Sequence, residues 1–198
     1  MFFKKRAIFL TVVSLVFLFY CSSGNKTEAT GLRPEQWATV MAREGIPNFY
    51  KVSPALYRGG QPDEQGFDAL KKLGIKTIVN FRLSNKDQKL FNGYGFNYYH
   101  LPMIAFFPKK NKFRRFLEIV SDPVLQPVFV HCQYGADRTG AAVALYRIKI
   151  QKWEVEKAID EMLNGGYHFH RIHSHLKRFI RNFRYTAPAG MPRTSNRQ

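Results

Sequence analysis

Hydrophobic and polar positions alternate with three different rhythms along this 198-residue chain. Residues 7–20 are apolar almost without a break. Residues 22–32 are polar, and from 33 to 185 β-branched and aromatic runs take turns with segments of helical period. That alternation is the pattern of an α/β layer structure. It predicts a short helix at 34–43, an edge strand at 50–57 because Pro54 lies inside it, and a helix at 63–73 opened by Pro62 and stopped by Gly74. A buried strand (IKTIVNF) follows at 75–81, then a helix at 87–94, a strand at 96–101, a helix at 111–120 and a short apolar strand at 127–130. Helices at 139–151, 153–163 and 172–184 complete the domain. The order of the strands in the sheet does not follow from this pattern.

Lys4, Lys5 and Arg6 stand ahead of the first apolar run, so residues 1–21 read as a signal peptide or signal anchor whose charged end stays on the cytoplasmic side. The run is shorter than the ~18 to 20 residues of a comfortable membrane span. Cys21 closes it and is a candidate for lipidation, although Tyr20 is large for the position before such a cysteine. Residues 22–32 are expected to be a linker, 33–185 one domain, and 186–198, with two prolines and no apolar period, a disordered tail. An exported, periplasmic and membrane-associated monomer is the expectation.

Lys and Arg number 31 against 14 Asp and Glu, a net charge of +17, and 45% of residues are hydrophobic. This excludes an acidic disordered chain and a multi-span membrane protein. The leader accounts for only three of the positive charges, so the excess belongs to the domain. Of two cysteines only Cys132 lies in that domain, where no internal disulfide can occupy it.

Residues 131–140 read HCQYGADRTG, between the strand at 127–130 and an Ala- and Val-rich helix. A strand, a tight loop and a helix N-terminus make an anion cradle, in which backbone N–H groups of Gln133, Tyr134, Gly135, Ala136, Asp137 and Arg138 converge. The same field favours thiolate over thiol at Cys132. Arg138 can hold two phosphate oxygens with its planar fork. Gly135 relieves the turn, Thr139 is expected to donate its hydroxyl to the sulfur, and His131 to brace the loop. His168, His170, His173 and His175 do not share one helix face and read as rim histidines. No metal and no cofactor is expected.

This loop, together with NFYKVSPALYRGGQPDEQGFDALKKLGIKTIVNFR, the YYHLP strand end, PVFVHC, YRIKIQKWEVEKAIDEM and GGYHFH, resembles the cysteine-dependent protein phosphatases, in their bacterial dual-specificity-like branch. The resemblance covers about residues 33 to 183. It implies a central mixed, largely parallel sheet flanked by helices, no metal, and phosphomonoester hydrolysis through a phosphocysteine, with Cys132 as nucleophile and Arg138 as transition-state clamp.

Typical members supply a general acid from an Asp on the loop that follows the strand matching 96–101. Residues 102–109 (PMIAFFPK) contain no carboxylate. Asp137 is the first candidate for that proton, as in myotubularin-like phosphatases, with orientation of Arg138 or capping of the next helix as its structural alternatives. Asp87 is the second, and Arg82 stands at a strand end where it could face substrate or pair with a carboxylate. The implied substrates are a phosphotyrosine protein, a phosphoinositide or an inositol phosphate. Cations at Lys109, Lys110, Lys112, Arg114 and Arg115 suit polyanions or an anionic membrane surface. No stacking platform for nucleic acid accompanies them. The alternatives are a phosphate-binding pseudophosphatase and a membrane-surface interaction module.

Overall fold

The structure, a computed structural model, describes residues 33–85 and 93–186. The leader with Cys21, the linker, Asp87 with most of its expected helix, and nearly all of the tail lie outside the described residues.

Six strands, β1 (Thr39–Val40), β2 (Tyr50–Ser53), β3 (Leu56–Gly59), β4 (Thr77–Asn80), β5 (Asn97–His100) and β6 (Val128–His131), join in the order β1-β2-β3-β6-β4-β5. β3, β6, β4 and β5 run parallel, while β1 and β2 add an antiparallel flank. The result is the mixed, largely parallel sheet that the resemblance implies. β4 and β6 are buried at every position, as expected of strands covered on both faces.

Among the described residues five α-helices cover it: α1 (Glu64–Lys72), α2 (Lys110–Ser121), α3 (Asp137–Lys149), α4 (Val155–Asn164) and α5 (His175–Arg181). Side chains alternate across a strand. Ile78 and Phe129 therefore join Phe67 and Leu70 of α1 in one core, whereas Val79, Val128 and Val130 join Phe113, Phe116 and Leu145 in the other. The Asp63 side chain caps α1 by accepting from the Gly66 N–H at 3.0 Å. α3 has no side-chain cap and is buried along most of its length, so neighbouring elements rather than an amphipathic stripe hold it.

Four expectations need correction. Residues 34–43 form a turn and then β1, because the Ala38 N–H is taken by Glu161 (2.7 Å) and β-branched Thr39 and Val40 pair with β2. Residues 50–57 are a hairpin, not one edge strand: Pro54 starts the reversal, and β3 runs on to Gly59 as a buried interior strand. The helix expected from Thr139 begins two residues earlier, at Asp137. The last helix is shorter than 172–184, since Arg171–His173 form a separate 3-10 turn ahead of α5.

The arrangement brings the C-terminal ends of β3, β6, β4 and β5 to one edge of the sheet. The N-terminus of α3 opens on that edge directly after β6.

Candidate active site

Cys132 follows β6 and is buried, with a free thiol. Residues 133–136 carry the chain from there into α3. What shapes this loop is where its carbonyls go. The Gln133 carbonyl accepts from the Gln61 N–H at 3.1 Å, that of Tyr134 from Asn48 Nδ2 at 3.0 Å, and that of Gly135 from Arg58 Nη2 at 2.6 Å. Three successive carbonyls are thus drawn outward by donors from β3, the loop after it and the loop before β2. The N–H groups of Gln133, Tyr134, Gly135 and Ala136 have no hydrogen-bond acceptor among the described residues. Such an array, added to the positive end of α3, accepts an anion.

Gly135 has φ +70, and a Cβ there would lie 2.5 Å from the carbonyl carbon of Gly59 and 2.6 Å from the Gly60 nitrogen. Both the left-handed backbone and the close approach of β3 demand glycine.

Arg138 lies on the first turn of α3. Its Nη1 donates to the carbonyls of Phe81 and Met103, each at 3.2 Å. One nitrogen thereby anchors the guanidinium to the loops after β4 and β5. Nε and Nη2 have no protein partner among the described residues and remain as a fork for two oxygens.

Arg58, which the motif alone did not single out, is fully buried on β3. Its guanidinium lies 3.6 Å from the ring centre of Tyr167. Nε and Nη1 are buried without a hydrogen-bond partner among the described residues. Burial lowers its pKa, opposed by attraction to Tyr167, Glu161 and Cys132. No carboxylate hydrogen-bonds this cation among the described residues, so part of its field is left for an anion bound in the cradle. The sequence does carry a signal for it: a charged residue inside an otherwise buried strand, before a Gly-Gly pair.

Asp137 neither caps α3 nor bonds to Arg138. Its Oδ1 accepts from the His170 N–H (2.9 Å) and its Oδ2 meets His170 Nδ1 (2.8 Å), with His173 Nε2 at 4.0 Å. Both structural alternatives expected for Asp137 thus give way to a third, because the GGYHFH loop arrives beside the α3 N-terminus and offers two donors.

The expected bond from Thr139 to sulfur is not formed. Thr139 Oγ1 is buried without a partner among the described residues, an unused donor on the first turn of α3 beside the cradle. His131 is fully buried under the loop, with Nδ1 3.4 Å from the Cys132 carbonyl. Desolvation, followed by the charges of Arg82 and Arg138, pulls its pKa down to about 3, so the ring is neutral at physiological pH. Arg82 donates to Gln133 Oε1 (2.9 Å) and Gln61 Oε1 (2.7 Å), which ties the end of β4 to the cradle loop.

A cavity of about 630 Å³ adjoins the loop, lined by Pro47, Pro62, Gln133, Tyr134 and His170 among others. It is wide enough for a ring attached to a phosphate seated in the cradle.

Comparison with known proteins agrees with this geometry. Residues 35–178 match the family described as "DSP-PTPase phosphatase fused to NAD+ Kinase". The dual specificity protein phosphatase TpbA of Pseudomonas aeruginosa is 31% identical over 141 residues, covering 71% of this chain and 63% of that protein. The chain thus spans somewhat less than two thirds of that relative. The inositol diphosphatase SIW14 of Saccharomyces cerevisiae is 29% identical over 133 residues, 62% of this chain and 47% of that protein. Among solved structures, TpbA superposes with a TM-score of 0.68 at 29% identity, covering 76% of this chain and 92% of the crystallised one. The chain belongs to this family of cysteine-based dual-specificity and tyrosine phosphatases, on the branch that contains TpbA.

Proposed function

We propose that the protein hydrolyses phosphomonoesters through a phosphocysteine. The observation that carries this reading is the pairing of one buried thiol with outward-turned carbonyls, unpartnered N–H groups and two cations, Arg138 at the mouth and Arg58 beneath. Attack of Cys132 Sγ on phosphorus forms the S–P bond and breaks the P–O bond to the leaving alcohol, whose oxygen takes a proton. Water then cleaves the S–P bond, releases phosphate, and returns its proton to the donor. Arg138 follows the equatorial oxygens through both steps, and the unused Thr139 hydroxyl serves the departing sulfur in the second.

The proton comes from the Asp137–His170 couple in this reading. Residues 102–109 offer no carboxylate, while His170 stands at the cavity wall with Asp137 held behind it. The cavity's prolines and Tyr134 favour an aromatic phosphoester such as phosphotyrosine. An inositol polyphosphate would meet Asp63, which also lines it. TpbA has been crystallised with phosphotyrosine, which fits this preference.

Cys132→Ser should abolish turnover of p-nitrophenyl phosphate while vanadate still binds, since serine keeps the cradle and lacks the nucleophile. Residual activity near wild type would overturn the mechanism. Absence of turnover in the wild-type protein, with phosphate still bound, would support the pseudophosphatase reading. Export by residues 1–21 and retention at the membrane are part of the proposal, and cell fractionation with and without those residues tests them.

A further inference from the structure

Eight large apolar side chains are exposed among the described residues, and six of them, Leu83, Ile104, Phe106, Phe107, Tyr134 and Ile172, lie on the edge that holds the phosphate cradle. Leu83 follows β4. Ile104, Phe106 and Phe107 follow β5, Tyr134 is in the cradle loop, and Ile172 is in the 3-10 turn whose neighbours touch both Asp137 and Phe106. The other two, Val40 and Val124, are elsewhere, Val124 at the opposite edge just before β6.

These side chains are presented on a supported loop. Phe106 packs between His173 (ring centres 4.5 Å apart) and His175 (5.9 Å), and His175 Nε2 lies 3.0 Å from the Ala105 carbonyl. Phe107 and Ile172 project beyond this support with 68% and 70% of their surface exposed.

Among the described residues the charges that flank them are mostly positive. Residues 81–85, 101–112, 131–136 and 165–175 include Arg82, Lys109, Lys110, Lys112 and Arg171 and contain neither Asp nor Glu. On the rim, Asp137 is paired with His170, and Asp63 is engaged in capping α1. Exposed aromatic and aliphatic tips surrounded by cations are what an interfacial surface of an anionic bilayer requires: apolar groups enter the headgroup boundary while cations meet lipid phosphates. No helix among the described residues is long and apolar enough to cross a membrane, so such contact would be peripheral.

We propose that the rim formed by Leu83, Ile104, Phe106, Phe107 and Ile172 docks on an anionic membrane surface and turns the cradle toward phosphate groups carried there. The docking stands without the phosphatase reading. Only its consequence, selection of membrane-borne substrates, rests on that reading.

The test places a reporter tryptophan in the full chain, as Phe107→Trp or Ile172→Trp on the rim and Val124→Trp at the far edge. Each variant is mixed with vesicles of phosphatidylcholine alone or with phosphatidylglycerol, including brominated lipid. Residues 7–20 are identical in every variant, so any contribution from them is constant and position-dependent quenching reports which face inserts. Rim reporters should shift to the blue and be quenched in phosphatidylglycerol vesicles, with Val124→Trp unaffected. Lys109→Glu with Lys110→Glu should weaken the rim signal at least about tenfold. Equal quenching at both edges, no quenching on the rim, or a rim shift seen only with an acidic peptide would overturn the proposal. Turnover of p-nitrophenyl phosphate in the same samples keeps a failed docking distinct from a failed phosphatase reading.

Discussion

Two arginines are buried among the described residues, and they are provided for in opposite ways. Arg147 of α3 makes a two-pronged ion pair with Glu161 of α4, Nε to Oε2 at 2.7 Å and Nη2 to Oε1 at 2.8 Å. Gln151 and the Val52 carbonyl take Nη1, and Trp153 covers the guanidinium at 4.1 Å. Glu161 also accepts from the Ala38 N–H and the Tyr167 hydroxyl, so the pair ties α3, α4 and the first strand together. Arg58 has one hydrogen bond to the Gly135 carbonyl, an aromatic face, and two unpartnered nitrogens among the described residues. A neutralised cation holds elements in place. An under-neutralised one, placed beneath a thiol and an anion cradle, is costly to bury and serves the chemistry.

The largest effect that sharpens this contrast is on stability. Glu161→Ala leaves Arg147 buried without its carboxylate and should cost about 3 to 5 kcal/mol in urea unfolding. A loss under ~1 kcal/mol would mean that the pair is not the brace described. Next comes Arg58→Met, which removes a poorly satisfied buried charge. Unfolding stability should hold or rise, while kcat/KM for an aryl phosphate falls about a hundredfold because a fixed cation at the developing charge is gone. A variant that lost stability and kept activity would place Arg58 with Arg147 as a brace.

Smaller effects are expected at the proton couple. Asp137→Asn and His170→Gln should each cost about thirtyfold with an alkyl phosphate and only a few-fold with a nitrophenyl phosphate, whose anion leaves without help. Equal losses on both substrates would remove the couple from proton donation.

The smallest is a slope against pH. His131 titrates near pH 3 when folded and near ~6.5 when unfolded, so between these values the unfolded chain takes up a proton that the folded one refuses. Stability should therefore fall as pH drops from 6.5, by up to about 1.4 kcal/mol per unit from this group. His173, lowered chiefly by desolvation, acts in the same direction. His131→Asn should flatten the slope measured from urea midpoints at pH 7 and 5. An unchanged slope would mean that other groups set it.

Much of this site was legible before any fold. The strand at 127–130, the HCQYGADRTG loop and the helix after it are contiguous, so their geometry is written in local rules: β-branched residues before the loop, glycine at the left-handed turn, donors at a helix start. The helix with Asp63 as cap and Gly74 as stop is local in the same sense. The misreadings share a cause. At 34–43 the helical period yielded to a strand partner and to the distant Glu161, and at 50–57 Pro54 marked a reversal within a longer β segment.

The sequence by itself determined which groups could do chemistry here, namely Cys132, Arg138 and the loop N–H array, because they sit within seven positions of one another and short-range geometry constrains them. Only the tertiary structure decided how that chemistry is tuned. Arg58 reaches Gly135 across 77 positions, Asn48 reaches Tyr134 across 86, and His170 reaches Asp137 across 33. Contacts of that range leave no period and no spacing in the chain. They arise when parallel strands bring their C-terminal ends to one edge and packing of both cores decides which loops meet there.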